Sequence, residues 1–349
     1  MPSFISNSEA SGRATLFAVL LSLLIALSCT AISEIYWRSK GHTPTVVDSM
    51  GLWSSQRAKI YDDRPIVFLG ASRTLYGIDL DETTRQLSEL RAGKYAHSSA
   101  VMLALNGRYP VATLLDLALD EEFVGTVLVD VDARGLSKYN WEAQESYVKY
   151  FRQDWTPNWW VHRYLLNLLQ PLLVSLDPRF SLINSGLALW AGQSLPVVSH
   201  SQLDHRRMGA LNFQRANGEI LGNWFAEMLA DDLEKNPPPS PLDWLLSAQV
   251  VADAARTIEA RGGTVIFWVP PVSGQQEALT YAAYPKNQYW DKFIAHYNLK
   301  GLHYADVPAL TKMNLPDESH VGRRQKVFLT RALVKALVNK GLLAQGENN

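Results

Sequence analysis

The segment RPIVFLGASRTLYGIDL, residues 64–80, decides the fold class. Residues 65–70, PIVFLG, are apolar without alternation. A strand with one face in water alternates apolar and polar side chains, whereas a parallel strand covered on both faces does not. The run breaks at Gly70-Ala71-Ser72 and a polar helix start follows, so Ser72 is expected at the carboxyl end of a buried strand. Two readings of this break are open: an ordinary strand-to-helix connection, or a nucleophile held where a strand stops.

The rest of the chain repeats that rhythm. Helix-like segments are expected at 79–90 and 109–122, a buried strand at 125–132 (GTVLVDVD), and a long helix at 240–263. Ser240 can cap this last helix, Pro241 suits its first turn, Asp243 completes the capping pattern, and Gly262-Gly263 stop it. A strand at 264–270, a helix near 286–298, a strand near 302–307 and a final helix from about 321 to 341 follow. Such alternation predicts an α/β fold of three layers, a parallel sheet between helices. Residues 137–239 break the rhythm with an aromatic-rich stretch ending in NPPPSP (236–241) and read as a helical insertion.

Residues 14–33, ATLFAVLLSLLIALSCTAIS, carry no charge, proline or glycine. As a helix they reach about 30 Å, the thickness of the hydrocarbon core of a bilayer. Tyr36 and Trp37 follow at interfacial depth. A cleaved signal peptide is the competing reading, but the run exceeds an ordinary signal core and no A-x-A site closes it. The expected organisation is therefore a tail (1–13), one transmembrane anchor (14–33), a stalk (34–61) and an α/β domain (62–349) holding the insertion. Arg13 on one side against Arg38 and Lys40 on the other favours a cytoplasmic domain by charge count alone. The run at 159–176 is interrupted by His162, Arg163, Asn167, Gln170 and Pro171, so it reads as a buried, interfacial or partner-facing helix.

Composition excludes several function classes. A net charge of −1 and the lack of a basic block give no case for nucleic acid. The single cysteine, Cys29, excludes disulfides within the chain and any multi-cysteine zinc site. Phosphate-loop, zinc-helix and dinucleotide-turn motifs are absent from the sequence, so neither cofactor nor metal is expected. The carboxylate pairs Asp62-Asp63 and Asp231-Asp232 read as solvated loop or helix ends.

Two motifs carry chemistry. Gly-x-Ser occurs at Gly70, Gly135 and Gly192, but only Ser72 directly ends a strand-like run. Among eight histidines only His320 has an aspartate three residues earlier, Asp317, in a polar loop before the last helix. That spacing lets the carboxylate hold one imidazole nitrogen while the other faces a nucleophile. The aromatics at 139–160, Trp155 and Trp159 among them, are candidates for stacking on sugar rings, or else the insertion's own core or membrane-facing rim.

Together, Ser72 after the first strand and Asp317-x-x-His320 before the last helix resemble the SGNH (GDSL-like) hydrolase superfamily, over residues 62–340. With its anchor the chain looks like the membrane-anchored SGNH-like proteins of bacterial polysaccharide and cell-wall acylation systems. That likeness implies a Ser72-His320-Asp317 triad and acyl-ester chemistry on an extracytoplasmic glycan. It also implies a location on the outer face of the bacterial cytoplasmic membrane, against the charge count, with a membrane-bound O-acyltransferase as partner. It assigns the oxyanion to the amides of Ser72 and Gly107.

The pattern departs at two places. Ala71 stands where the family has aspartate, and Asp130 and Asp132 stand where Gly-x-Asn would supply a donor. An ionised carboxylate repels an oxyanion, and loss of one such donor costs about 2.7–4 kcal/mol. Asn106 and Arg73 are the substitute donors within reach in the sequence, Arg73 also being a candidate substrate contact. A non-catalytic scaffold of the same fold is the alternative.

Overall fold

The computed structural model describes residues 8–61, 64–90 and 95–343. Among the described residues seven strands are formed in chain order: β1 (Ile66–Leu69), β2 (Ala100–Met102), β3 (Thr126–Asp130), β4 (Ser201–Leu203), β5 (Gly209–Leu211), β6 (Thr264–Val269) and β7 (Lys300–His303). β4 and β5 pair antiparallel as a separate hairpin. The other five make one parallel sheet in the order β2-β1-β3-β6-β7. In this doubly wound order the chain leaves β1 towards one edge and returns past it to β3. Ligands in such sheets bind beyond the carboxyl ends of the strands flanking that reversal.

Register explains the unbroken apolar runs. Val67 pairs with Val127 and Val127 with Val265, so one sheet face presents valines in a row. They pack with Leu114 and Leu117 of the helix Val111–Leu119 and with Val251, Ala255 and Ile258 of the helix Gln249–Ala260. Ile66, Phe68, Leu128, Ile266 and Trp268 point the other way, onto Leu87 and onto Leu333 and Leu337 of the helix Lys326–Asn339. Both faces are thus covered by helices.

Contacts divide the chain into two compact units, Met1–Thr45 with Leu166–Ser199, and Val46–Leu165 with His200–Asn349. The first contains the helix Ser8–Ser39. Its stretch Gly12–Ser39, 28 residues, is long and apolar enough to cross a membrane.

Residues expected as a stalk divide differently. The first helix continues through Ser39, and Val46–Tyr61 belongs to the α/β unit. Leu52 and Trp53 are fully buried, and the Trp53 indole Nε1 donates to Leu103 O at 2.9 Å. Arg57, also fully buried, pairs with Asp116 at 2.8 Å and Asp120 at 2.6 Å. Sequence polarity hid this because these carboxylates lie far along the chain. Trp53→Phe is expected to lower unfolding free energy by about 1–3 kcal/mol, through an unsatisfied buried carbonyl, in a urea titration.

Other boundaries also shift. The helix expected at 240–263 is two, Pro241–Ser247 and Gln249–Ala260. The first is tied by Trp244, whose Nε1 donates to Ala133 O at 2.8 Å, while the second lays its own apolar stripe on the sheet. β7 starts at Lys300, and the last helix starts at Lys326, preceded by a turn in which Arg323 N donates to Leu211 O at 2.8 Å. Residues 137–239 are not a single helical body: they include the β4–β5 hairpin, and 166–199 group with the N-terminal helix.

Candidate active site

Ser72 opens a short helix, Ser72–Gly77, directly beyond β1. The turn needs Gly70, because a Cβ there would meet Asp130 Cβ at 2.7 Å. From the other end of the chain comes the loop carrying Asp317 and His320. His320 Nε2 lies 2.7 Å from Ser72 Oγ, and His320 Nδ1 lies 2.8 Å from Asp317 Oδ2. Asp317 Oδ1 accepts the amides of His320 at 2.7 Å and Ser319 at 3.1 Å. Burial opposes charge on Asp317, but the imidazole and these two amides hold its carboxyl below the usual range. An ionised carboxylate only accepts, so Nδ1 carries the proton and Nε2 is left to accept from the serine hydroxyl.

The loop is gripped from two sides. Gln276 Nε2 donates to Asp317 O at 2.7 Å and Ser273 N donates to Glu318 O at 2.9 Å. The helix Gly218–Lys235 lies flush against it, since a Cβ at Gly218 would come 2.3 Å from Pro316 O. From that helix Phe225 packs on the imidazole, ring centres 5.6 Å apart. Asp317 and His320 are buried and Ser72 is half-buried, so the polar chain is dry at its base and open at the nucleophile.

Ser72 and His320 line a cleft of about 350 Å³ with Ala71, Gly107, Tyr109, Asp132, Arg134, Asn140 and Asp232. Gly107 adopts φ +67°, the left-handed region that glycine enters without strain. Among the described residues the amides of Ser72 and Gly107 donate no hydrogen bond, so both are free to receive developing negative charge. Asn106 is exposed, and among the described residues neither it nor Trp155 nor Trp159 lines the cleft. Trp155 is half-buried beside Gly51, and Trp159 packs on His162 with ring centres 5.5 Å apart.

The two aspartates that departed from the expected pattern have a partner. Arg73 Nη2 lies 3.1 Å from Asp132 Oδ2 and 3.7 Å from Asp130 Oδ1. Arg73 is thereby engaged as a counter-ion rather than held free as an oxyanion donor. Thr74 Oγ1 donates to Asp130 Oδ2 at 2.9 Å, and the Gly135 amide donates to Asp132 Oδ1 at 2.8 Å. Burial pushes the Asp130 carboxyl up to about 6, with Arg73 and Thr74 opposing. Burial likewise opposes charge on Asp132, but Arg73, Arg134 and the Gly135 amide hold its carboxyl below the usual range.

The raised Asp130 value has a signed consequence. Between the ordinary carboxylate range and about 6 the folded state holds a proton that the unfolded state releases. Folding therefore weakens as pH rises through that window. Relative to Asp130→Asn, the wild-type protein should lose up to about 3 kcal/mol of unfolding free energy between pH 4 and 7, measured by urea titrations at each pH.

Further along the cleft, Arg134 Nη1 donates to Asp232 Oδ2 at 2.6 Å, and Tyr139 OH donates to the same oxygen at 3.1 Å. Sequence reading missed this pair, having taken Asp231-Asp232 as solvated. Adjacent helical residues point about 100° apart: Asp231 faces solvent with Lys235, and Asp232 faces the cleft. Asp62-Asp63 lie outside the described residues. Among the described residues no group of three His, Cys, Asp or Glu side chains is placed to hold a metal ion.

No family model matches the chain. No curated protein and no solved structure matches it either.

Proposed function

We propose that the protein is a membrane-anchored serine esterase or O-acyltransferase of SGNH type, working on an acylated glycan of the bacterial cell envelope. One observation carries this reading: Ser72, His320 and Asp317 form a continuous hydrogen-bonded chain with links of 2.7 and 2.8 Å, opening on a cleft.

The chemistry follows from those contacts. Ser72 Oγ attacks the acyl carbonyl while His320 Nε2 takes its proton, and Asp317 stabilises the imidazolium. The carbonyl oxygen becomes an oxyanion, received by the amides of Ser72 and Gly107. Collapse expels the alcohol, which takes the proton back from His320 and leaves an acyl-serine. Water or a sugar hydroxyl, deprotonated by the same histidine, then attacks the acyl-serine and restores the enzyme. The charge-balanced pairs Arg73–Asp132 and Arg134–Asp232, with Asn140 and Tyr109, suit a neutral hydroxylated ligand better than an anion. The large domain belongs on the outer face of the membrane in this reading, beside a membrane-bound O-acyltransferase that supplies acyl groups.

Asp130 and Asp132 favour a second reading, a glycan-binding scaffold of the same fold without turnover. A fluorophosphonate probe separates the two. An active serine is phosphonylated, and the expected adduct lies on the peptide containing Ser72 and is absent from His320→Ala. A serine that stays unmodified at probe concentrations that saturate other serine hydrolases would favour the scaffold.

A further inference from the structure

The unit containing the N-terminal helix also contains Leu166–Ser199, and that segment is built for an apolar surrounding. Its only charged side chains are Asp177 and Arg179, which pair with each other at 2.5 Å. The helix Leu182–Trp190, LINSGLALW, gathers Leu182, Ile183, Leu187, Leu189 and Trp190 on one broad face, with Asn184 and Ser185 on the other, yet buries no residue. Ile183 is 75% exposed, Trp190 88% and Val197 86%. A helix with one broad apolar face left exposed calls for an apolar surrounding on that face, and a soluble surface does not carry such residues together.

Where the segment is attached identifies the occupant. Glu34, Trp37 and Arg38 lie immediately after the charge-free run 14–33, where a spanning helix leaves the hydrocarbon. Trp37 Nε1 donates to Phe180 O at 3.0 Å, and Arg38 Nη2 donates to Leu172 O at 2.7 Å. Glu34 Oε1 accepts both the amide of Ser175 at 2.7 Å and its hydroxyl at 2.9 Å. Phe180 and Val174 pack on the Trp37 ring. These ties fix the apolar segment to the interfacial end of the anchor.

We infer that Leu166–Ser199 is a second membrane contact, an interfacial foot whose helix Leu182–Trp190 lies among the acyl chains and headgroups of the leaflet where the anchor emerges. At 1.5 Å per residue that helix reaches about 14 Å, less than half of the hydrocarbon core, so it enters one leaflet and does not span. Its two charges are spent on each other, so the segment offers a protein partner no free ion-pairing group beside its apolar face. Trp190, the most exposed of its large side chains, has the amphipathic ring that favours headgroup depth. The inference rests on the reading that the Gly12–Ser39 helix crosses a bilayer.

The test uses the full chain with Cys29→Ser, reconstituted at one copy per nanodisc of phosphatidylethanolamine and phosphatidylglycerol with no other protein. An environment-sensitive fluorophore is placed through Ile183→Cys, or through Leu187→Cys as a second position, and through Leu24→Cys in the anchor. Lipids carrying a doxyl group near the headgroup end of the acyl chain, and iodide in the buffer, serve as the two quenchers. The expected result is that doxyl lipid removes at least half the emission at Ile183 and at Leu187, while iodide leaves it nearly unchanged. Quenching by iodide but not by doxyl lipid at these positions, with the Leu24 label shielded from iodide, would put the segment in water and overturn the inference alone. Protection from both quenchers would mean a protein covering and would overturn it as well. A Leu24 label open to iodide would remove the anchoring reading, and the foot with it.

Discussion

Ser72→Ala is expected to lower the rate of p-nitrophenyl acetate hydrolysis by about 10³–10⁶-fold, with thermal stability close to that of the wild-type protein. The side chain is half-buried and, among the described residues, its hydroxyl bonds only to the imidazole, so its loss leaves His320 Nε2 without a donor. That nitrogen borders the cleft and can be solvated, which limits the cost to the fold. His320→Ala should fall by a comparable factor, and the double variant by little more than either single one, because groups that act as a unit do not contribute additively. Asp317→Asn keeps a side chain of the same shape, but an amide NH2 facing Nδ1 would favour the wrong tautomer, for a loss of about 10⁴-fold. Equal rates in wild-type and Ser72→Ala proteins would leave the proposed nucleophile without a role.

Arg73→Met is expected to destabilise the fold by about 3–5 kcal/mol, read as the unfolding free energy in urea. The guanidinium sits between two carboxylates, Asp132 at 3.1 Å and Asp130 at 3.7 Å, both buried. Removing it leaves Asp132, largely buried at the cleft wall, ionised beside a second carboxyl with its closest counter-charge gone, a cost that exceeds the net worth of the intact pair. The double variant Arg73→Met/Asp132→Asn should recover most of the loss, because Asp132 no longer carries charge and Asp130, which burial already pushes up to about 6, can stay protonated without the guanidinium. An Arg73→Met protein as stable as the wild type would mean that the carboxylates are not held by this contact. This contact also bears on Asp130 and Asp132, which stand where the proposed family would have Gly-x-Asn. The acidic residues beside Ser72 are held by Arg73, so in the proposed mechanism the oxyanion would fall to backbone amides.

The sheet was legible wherever burial on both faces forced an unbroken apolar run, as in β1, β3 and β6. β2, with three residues, is too short to carry a period, and the helix Gly274–Ala283 has too little apolar character to announce itself. The hydrogen-bonded chain Ser72–His320–Asp317 was legible because each half has a local signature, a serine closing a strand run and an aspartate three residues before a histidine. Arg134, Asp232 and Gln276 have no such signature: their roles arise from contacts between segments far apart in the chain, as when Arg134 meets Asp232. Trp155 and Trp159 lie away from the Ser72 cleft, Trp155 half-buried and Trp159 exposed, and aromatic composition does not say which surface a ring serves. The expected stalk failed because buried ion pairs made Val46–Tyr61 look solvated.

The most direct measurement is mass spectrometry of peptides from full-length protein quenched in acid within seconds of mixing with p-nitrophenyl acetate. One acetyl group should be found on the peptide carrying Ser72, absent from Ser72→Ala and strongly reduced in His320→Ala. Ester turnover with no acetyl on that peptide, or with the same labelling in the histidine variant, would contradict the serine–histidine mechanism.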